Sequence, residues 1–154
     1  MTRSTCHLLS FAAVAAIATA AALAKAGPPA APPAMATVSG PARVIDGDTV
    51  VVAGVHVRLK GVDAAELGTP RGEAARRVMV GIVGNSLTCR LTGEHTYSRE
   101  VGWCATAAGV DLGQAIIASG AALACPRYDD RYVRFEQAAA LAMQPRSSYC
   151  VKRH

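Results

Sequence analysis

No C-x-x-C pair and no Cys/His cluster occurs in this 154-residue chain, which argues against a structural zinc site. No internal repeat is visible, so a stacked-repeat architecture is set aside. The longest apolar run, Leu8 to Ala24, has 17 residues, short of the roughly 20 that a spanning helix needs. Cys6 lies before that run rather than after it, which argues against a lipid-modified start. The length holds one domain with a proper core and hardly two.

What is present begins with an export signal. Met1 to His7 is a short polar start carrying Arg3, the apolar run follows, and Ala24-Lys25-Ala26 closes it. A basic start, an apolar middle and a small-x-small end mark a secretory signal peptide, and residues 1–26 are read as one. Residues 27–40 hold Pro28, Pro29, Pro32 and Pro33 among alanines without apolar periodicity, the composition of a flexible leader. The folded domain is expected over 41–154. Removing Arg3 and Lys25 takes the net charge from +5 to +3, a mild basic balance that suits an anionic partner. Four cysteines remain once Cys6 leaves with the signal: Cys89, Cys104, Cys125 and Cys150. An even count in an exported chain points to two disulfides, with three connectivities open.

The domain opens on Val44-Ile45-Asp46-Gly47-Asp48-Thr49-Val50. Asp and Gly favour a tight reversal, while Val, Ile and Thr favour extended chain on either side. Taken alone, this is a polar hairpin turn; with other carboxylates nearby it is half of a cation site. Ala42 to Ile45 and Thr49 to Ala53 read as the flanking strands. Val55 to Lys60 alternates strictly, with Val55, Val57 and Leu59 on one face and His56, Arg58 and Lys60 on the other. A helix is expected from Pro70, a residue suited to the first helical position, to a stop at Gly84. Leu87 to Leu91 and Val101 to Thr106 read as a hairpin joined through a loop over 93–99. Cys89 and Cys104 stand at similar distances from the middle of that loop, which favours a cross-strand bridge. A second helix is signalled by Asp111 as cap and Gly120 as stop. Ala121 to Ala124 is a brief extended stretch, and a third helix is expected from about Asp129 to Met143. Its apolar stripe is Tyr132, Phe135, Ala139 and Ala142. Cys150 then ties the tail back to Cys125, closing a loop of about 25 residues that stabilises by roughly 3 kcal/mol. Five short strands with intervening helices give an α+β class compatible with a small OB-type barrel.

The polar outliers are Asp46, Asp48, Arg58, Asp63, Glu66, Tyr97, Arg99 and Tyr128. Three aspartates offer the hard oxygens that Ca²⁺ prefers, and two arginines offer planar grips on phosphate oxygens. A further carboxylate, Glu66, is placed to orient or deprotonate a water. Together these are the parts of a phosphodiester hydrolase.

With those residues in order, the chain from about Arg43 to Met143 resembles the staphylococcal (thermonuclease) nuclease family. The resemblance rests on Val44-Ile45-Asp46-Gly47-Asp48-Thr49, on Arg58-Leu59 followed by Val62-Asp63-Ala64-Ala65-Glu66, and on Tyr97-Ser98-Arg99. The stretch from Asp111 to Gly120 and then Tyr128 adds to it. It implies a five-stranded OB-fold barrel with three helices. It also implies calcium-dependent cleavage of DNA and RNA that leaves 3′-phosphate products. By the same resemblance, Asp48, Asp63 and the Ala64 carbonyl are the direct Ca²⁺ ligands, with Asp46 acting through metal-bound water. Glu66 matches the general base, and Arg58 and Arg99 match the phosphate-binding arginines, Arg99 near the leaving group. Tyr97 and Tyr128 match the aromatic lining of the nucleotide pocket. This sequence departs from the family pattern at Ala64-Ala65, Thr96, Ser98 and Pro126. The partner expected is nucleic acid, as substrate of an exported, periplasmic or secreted monomer without stable membrane association once the signal is gone. The alternative is a non-catalytic module of the same fold that binds nucleic acid or a protein.

Overall fold

The computed structural model describes residues 35–152. The expected signal peptide, and the leader as far as 34, lie outside the described residues. Among those described, no helix is long and apolar enough to cross a membrane.

The described residues form seven strands and three α-helices in the order β1 (Thr37–Val44), β2 (Thr49–Val52), β3 (Val55–Leu59), β4 (Val62–Ala64), α1 (Pro70–Val83), β5 (Ser86–Thr96), β6 (Arg99–Thr106), α2 (Leu112–Ala118), β7 (Ala122–Ala124) and α3 (Ala138–Met143). β1 pairs with both β2 and β5, β3 with β2 and β6, and β6 with β5. Every one of these five strands is thus paired on both edges and the sheet closes on itself, which leaves no free edge to template aggregation. All pairings in it are antiparallel except β3 with β6. β4 and β7 form a separate antiparallel pair. The architecture is α+β and compatible with an OB-like fold.

The core lies inside this ring and beneath the helices. Val50, Val52, Val57 and Leu59 from β2 and β3 are buried with Met79 and Val83 of α1 and Leu112 and Ile116 of α2. The alternation in β3 is realised: Val57 and Leu59 point inward, His56 is exposed and Arg58 is half-buried. α1 starts where the proline places it. Thr69 is the N-cap, its hydroxyl accepting from the Gly72 N–H at 3.0 Å, and Gly84 takes a positive φ of 64° as the C-cap. Both disulfides form in the favoured pairing, Cys89 with Cys104 and Cys125 with Cys150. Cys89 and Cys104 are direct cross-strand partners of β5 and β6.

Four expectations are corrected. β1 begins at Thr37, so chain assigned to the leader up to 40 is already pairing with β5, Thr37 opposite Arg90. The hairpin loop over 93–99 is mostly strand, and the reversal itself is only Tyr97-Ser98, because Thr96 pairs with Arg99 past an irregularity between Leu91 and His95. Val62 to Ala64, which the five expected strands leave out, is a strand of its own, β4.

The long third helix is the largest change. In place of a helix from Asp129, the chain makes a 3₁₀ turn at Val133–Phe135 and then the short α3. Tertiary partners outbid helix propensity there. Tyr132 turns inward and donates to Asp111 at 2.9 Å, and Asp129 accepts from the Trp103 indole at 2.8 Å. Glu136 lies in extended backbone, its carboxylate accepting from the Ala124 N–H at 2.7 Å and from Arg146 at 2.6 Å. The apolar stripe changes accordingly. Tyr132 is buried and Phe135 packs on the core, but Ala139 and Ala142 are exposed and Ala140 is the buried alanine.

Candidate active site

The acidic turn is held by its own polar groups. The Asp46 carboxylate accepts from the Asp48 N–H at 2.9 Å, an Asx-type closure, and the Ile45 N–H reaches the Thr49 carbonyl at 3.0 Å. Gly47 is needed for space rather than for conformation. A Cβ there would lie 2.6 Å from the Ala64 Cβ and 2.8 Å from that of Ala75, so only glycine lets the turn seat against β4 and α1. Arg76 of α1 holds it from outside, Nε donating to the Ile45 carbonyl at 3.0 Å.

The register of β2 with β3 places Thr49 opposite Arg58, and a connected polar group results. Asp48 is 3 % exposed and forms an ion pair with Arg58. The Thr49 hydroxyl donates to Asp48 at 3.1 Å and accepts from Arg99 at 3.3 Å. The second Asp48 oxygen accepts from the Ala64 N–H at 3.3 Å, so the buried charge is fully partnered. Burial lowers the pKa of the Arg58 guanidinium from its ordinary value, and neighbouring Arg99 adds to this, while Tyr149, Asp46 and Asp63 oppose it.

Tyr97 adopts a positive φ of 54° at the hairpin tip and is 95 % exposed, with the Arg99 guanidinium 5.8 Å from its ring. Ser98 beside it has no positive φ, so the turn does not require glycine there. Glu66 stands exposed just before α1. Its backbone carbonyl accepts from the Thr69 hydroxyl at 2.8 Å and lies so near Gly72 that a Cβ there would come within 1.9 Å of it.

One cleft of about 850 Å³ gathers these residues: Asp46, Asp48, Arg58, Ala64, Glu66, Tyr97, Arg99 and Tyr128 all line it. Lys60, paired with Glu94 at 2.5 Å, and Tyr149 line it as well. Neither was singled out from sequence. Lys60 carried a signal, since the alternation from Val55 puts it on the same polar face as Arg58. The only mark on Tyr149 is its place next to a half-cystine.

Asp63 is the exception. It is 0 % exposed and is not part of the cleft wall. Its carboxylate accepts from the Ser147 N–H and hydroxyl, each at 2.7 Å, and from the Tyr149 hydroxyl at 3.4 Å. Among the described residues, no three His, Cys, Asp or Glu side chains converge to hold a metal ion. Hard oxygens suited to Ca²⁺ are present in Asp46, Asp48 and Glu66, but Asp48 is committed to Arg58 and Asp63 to the tail. The set as arranged does not fit a calcium site built on Asp48, Asp63 and Ala64. What the cleft does offer is two arginines, the exposed carboxylate of Glu66 and two exposed aromatic rings in one concavity. That combination can bind a phosphodiester, stabilise charge on it and accept a proton from water. Compared with models of known protein families and with curated proteins, the chain matches none.

Proposed function

We propose that this chain is an exported nuclease, a phosphodiesterase that hydrolyses DNA or RNA in the cleft and leaves 3′-phosphate products. The proposal includes the OB-fold barrel of the staphylococcal nuclease kind and a dependence on Ca²⁺, which the hard oxygens of Asp46, Asp48 and Glu66 on the cleft wall would meet without Asp63. One observation carries it: Arg58, Arg99 and Glu66 line a single cleft although they come from β3, β6 and the loop before α1. A half-buried arginine held by a partnered aspartate is oriented before substrate arrives, and preoriented donors are what stabilise charge building on a phosphate.

Arg58 and Arg99 grip the phosphate oxygens, and Tyr97 and Tyr128 flank the nucleotide. Glu66, at the solvent side, takes the proton from an attacking water. A new P–O bond forms from that water, and the bond to the 5′ oxygen of the next nucleotide breaks, with Arg99 beside the departing oxygen. The exported setting agrees with two disulfides, which persist in oxidising compartments. The commitment of Asp48 and Asp63 to protein partners favours the second reading, a module that binds nucleic acid without cutting.

The mature protein incubated with plasmid and with single-stranded DNA, in Ca²⁺ or in chelator, separates the two. Cutting is expected in Ca²⁺ alone, falling about 100-fold or more in Glu66→Gln and Arg99→Ala. Binding without cutting in both conditions gives the second reading, and cutting in chelator removes the calcium requirement.

A further inference from the structure

The carboxyl-terminal segment is fastened across β4 and β7 at several points. Arg146 donates to the Ala124 carbonyl at 2.9 Å and pairs with Glu136 at 2.6 Å. Cys150 is bonded to Cys125, and its carbonyl accepts from the Arg127 N–H at 3.2 Å. Between these anchors the Ser147 N–H and hydroxyl, with the Tyr149 hydroxyl, take up both oxygens of Asp63. A fully buried carboxylate needs such donors, and charge-assisted bonds are the strong ones. The same geometry sends Tyr149 to the cleft wall, where it is 42 % exposed.

We propose that Asp63 is the dock for the carboxyl-terminal segment, and that this docking makes Tyr149 a substrate-contacting residue of the cleft. Its ring lies against the base or sugar of a single nucleic-acid strand whose phosphate is held by Arg58. An aromatic face accepts any base by stacking, so Tyr149 adds affinity without sequence preference. Its position depends on Asp63 and on the Cys125–Cys150 bridge, not on a bound cation. This rests on the nucleic-acid reading of the cleft.

The test is fluorescence anisotropy of a labelled short single-stranded deoxyoligonucleotide on the mature, oxidised protein in chelator, where affinity is read apart from cutting. Tyr149→Ala is expected to weaken binding about ten-fold, and Tyr149→Phe, which keeps the ring, to bind within about two-fold of wild type. Asp63→Ala should match Tyr149→Ala and should also lose hydrogen-exchange protection at the Ser147 amide, a change read without any ligand. Wild-type affinity in Tyr149→Ala, with Arg58→Ala weakened, overturns the inference and leaves the nucleic-acid reading standing. A wild-type protein that neither binds nor cuts overturns both. Should Asp63→Ala fail to fold, Tyr149→Ala and Tyr149→Phe still decide the contact. A protected Ser147 amide in a folded Asp63→Ala overturns the dock.

Discussion

Asp63 and Ser147 are 84 positions apart in the chain and meet at 2.7 Å, the serine hydroxyl donating to one carboxylate oxygen while its backbone N–H donates to the other. A short polar tail therefore completes a buried charge in the middle of the domain. The chain beyond α3 belongs to the folded unit and to the wall of the cleft, which makes the site sensitive to changes far from its chemistry.

Gly47→Ala should destabilise the protein. The new Cβ would stand 2.6 Å from Ala64 and 2.8 Å from Ala75, both of them Cβ atoms that move only with their backbone. Overpacking of this kind costs about 1–3 kcal/mol. Urea unfolding should show that loss, and cleavage should fall because Asp46 and Asp48 shift with the turn. An unchanged midpoint would mean that the turn is free to move away.

Gly72→Ala sets two effects against each other. Alanine is the better helix former by about 1 kcal/mol, but its Cβ would come within 1.9 Å of the Glu66 carbonyl oxygen. The backbone clash is the larger effect, so the variant should be less stable than wild type. Glu66 should be displaced with its loop, lowering kcat more than it raises KM. A gain in stability would show that helix propensity wins.

Arg58→Ala should cost stability as well as activity. It strips Asp48, 3 % exposed, of its cation, and breaking one side of a buried pair costs about 3–5 kcal/mol. The Arg58 side chain is 19 % exposed, which puts the expectation near the low end. Asp48→Asn in that background should restore part of the stability but none of the cleavage. A double-mutant cycle by chemical denaturation measures this, and additive effects would contradict the pairing.

Tyr132 predicts an alkaline limit. Burial first, and then the Asp111 carboxylate, raise its phenol well above the ordinary value. The unfolded chain releases this proton near pH 10, before the folded one does. Stability is therefore full below about pH 10 and falls as pH rises from there toward the folded value. Tyr132→Phe should flatten that fall between about pH 9 and about pH 11. An equal slope in both proteins would place its cause elsewhere.

Local pattern made much of this protein legible in advance. The alternation from Val55 to Leu59, Pro70 at a helix start, glycine stops, and the symmetric placement of Cys89 and Cys104 are all written within a few residues of where they act. The cleft residues Asp46, Asp48, Arg58, Glu66, Tyr97, Arg99 and Tyr128 were singled out as well, by residue type and by the short motifs on which the resemblance rests. The third helix was misread because its pattern is local while its partners are not. Asp111, Trp103 and Ala124 draw Tyr132, Asp129 and Glu136 out of helical register.

By itself, the sequence determined the α+β class, four late cysteines with one pairing favoured among three, and the set of polar side chains that line the cleft. Only the tertiary structure decided how the carboxylates are divided. Asp48 goes to Arg58 through the β2–β3 register, and Asp63 goes to the tail. A three-residue strand such as β4 carries no periodicity from which to read the direction of its side chains. The partner that claims Asp63 lies 84 positions away, where only the disulfide and the folded path of the chain bring it within hydrogen-bond reach.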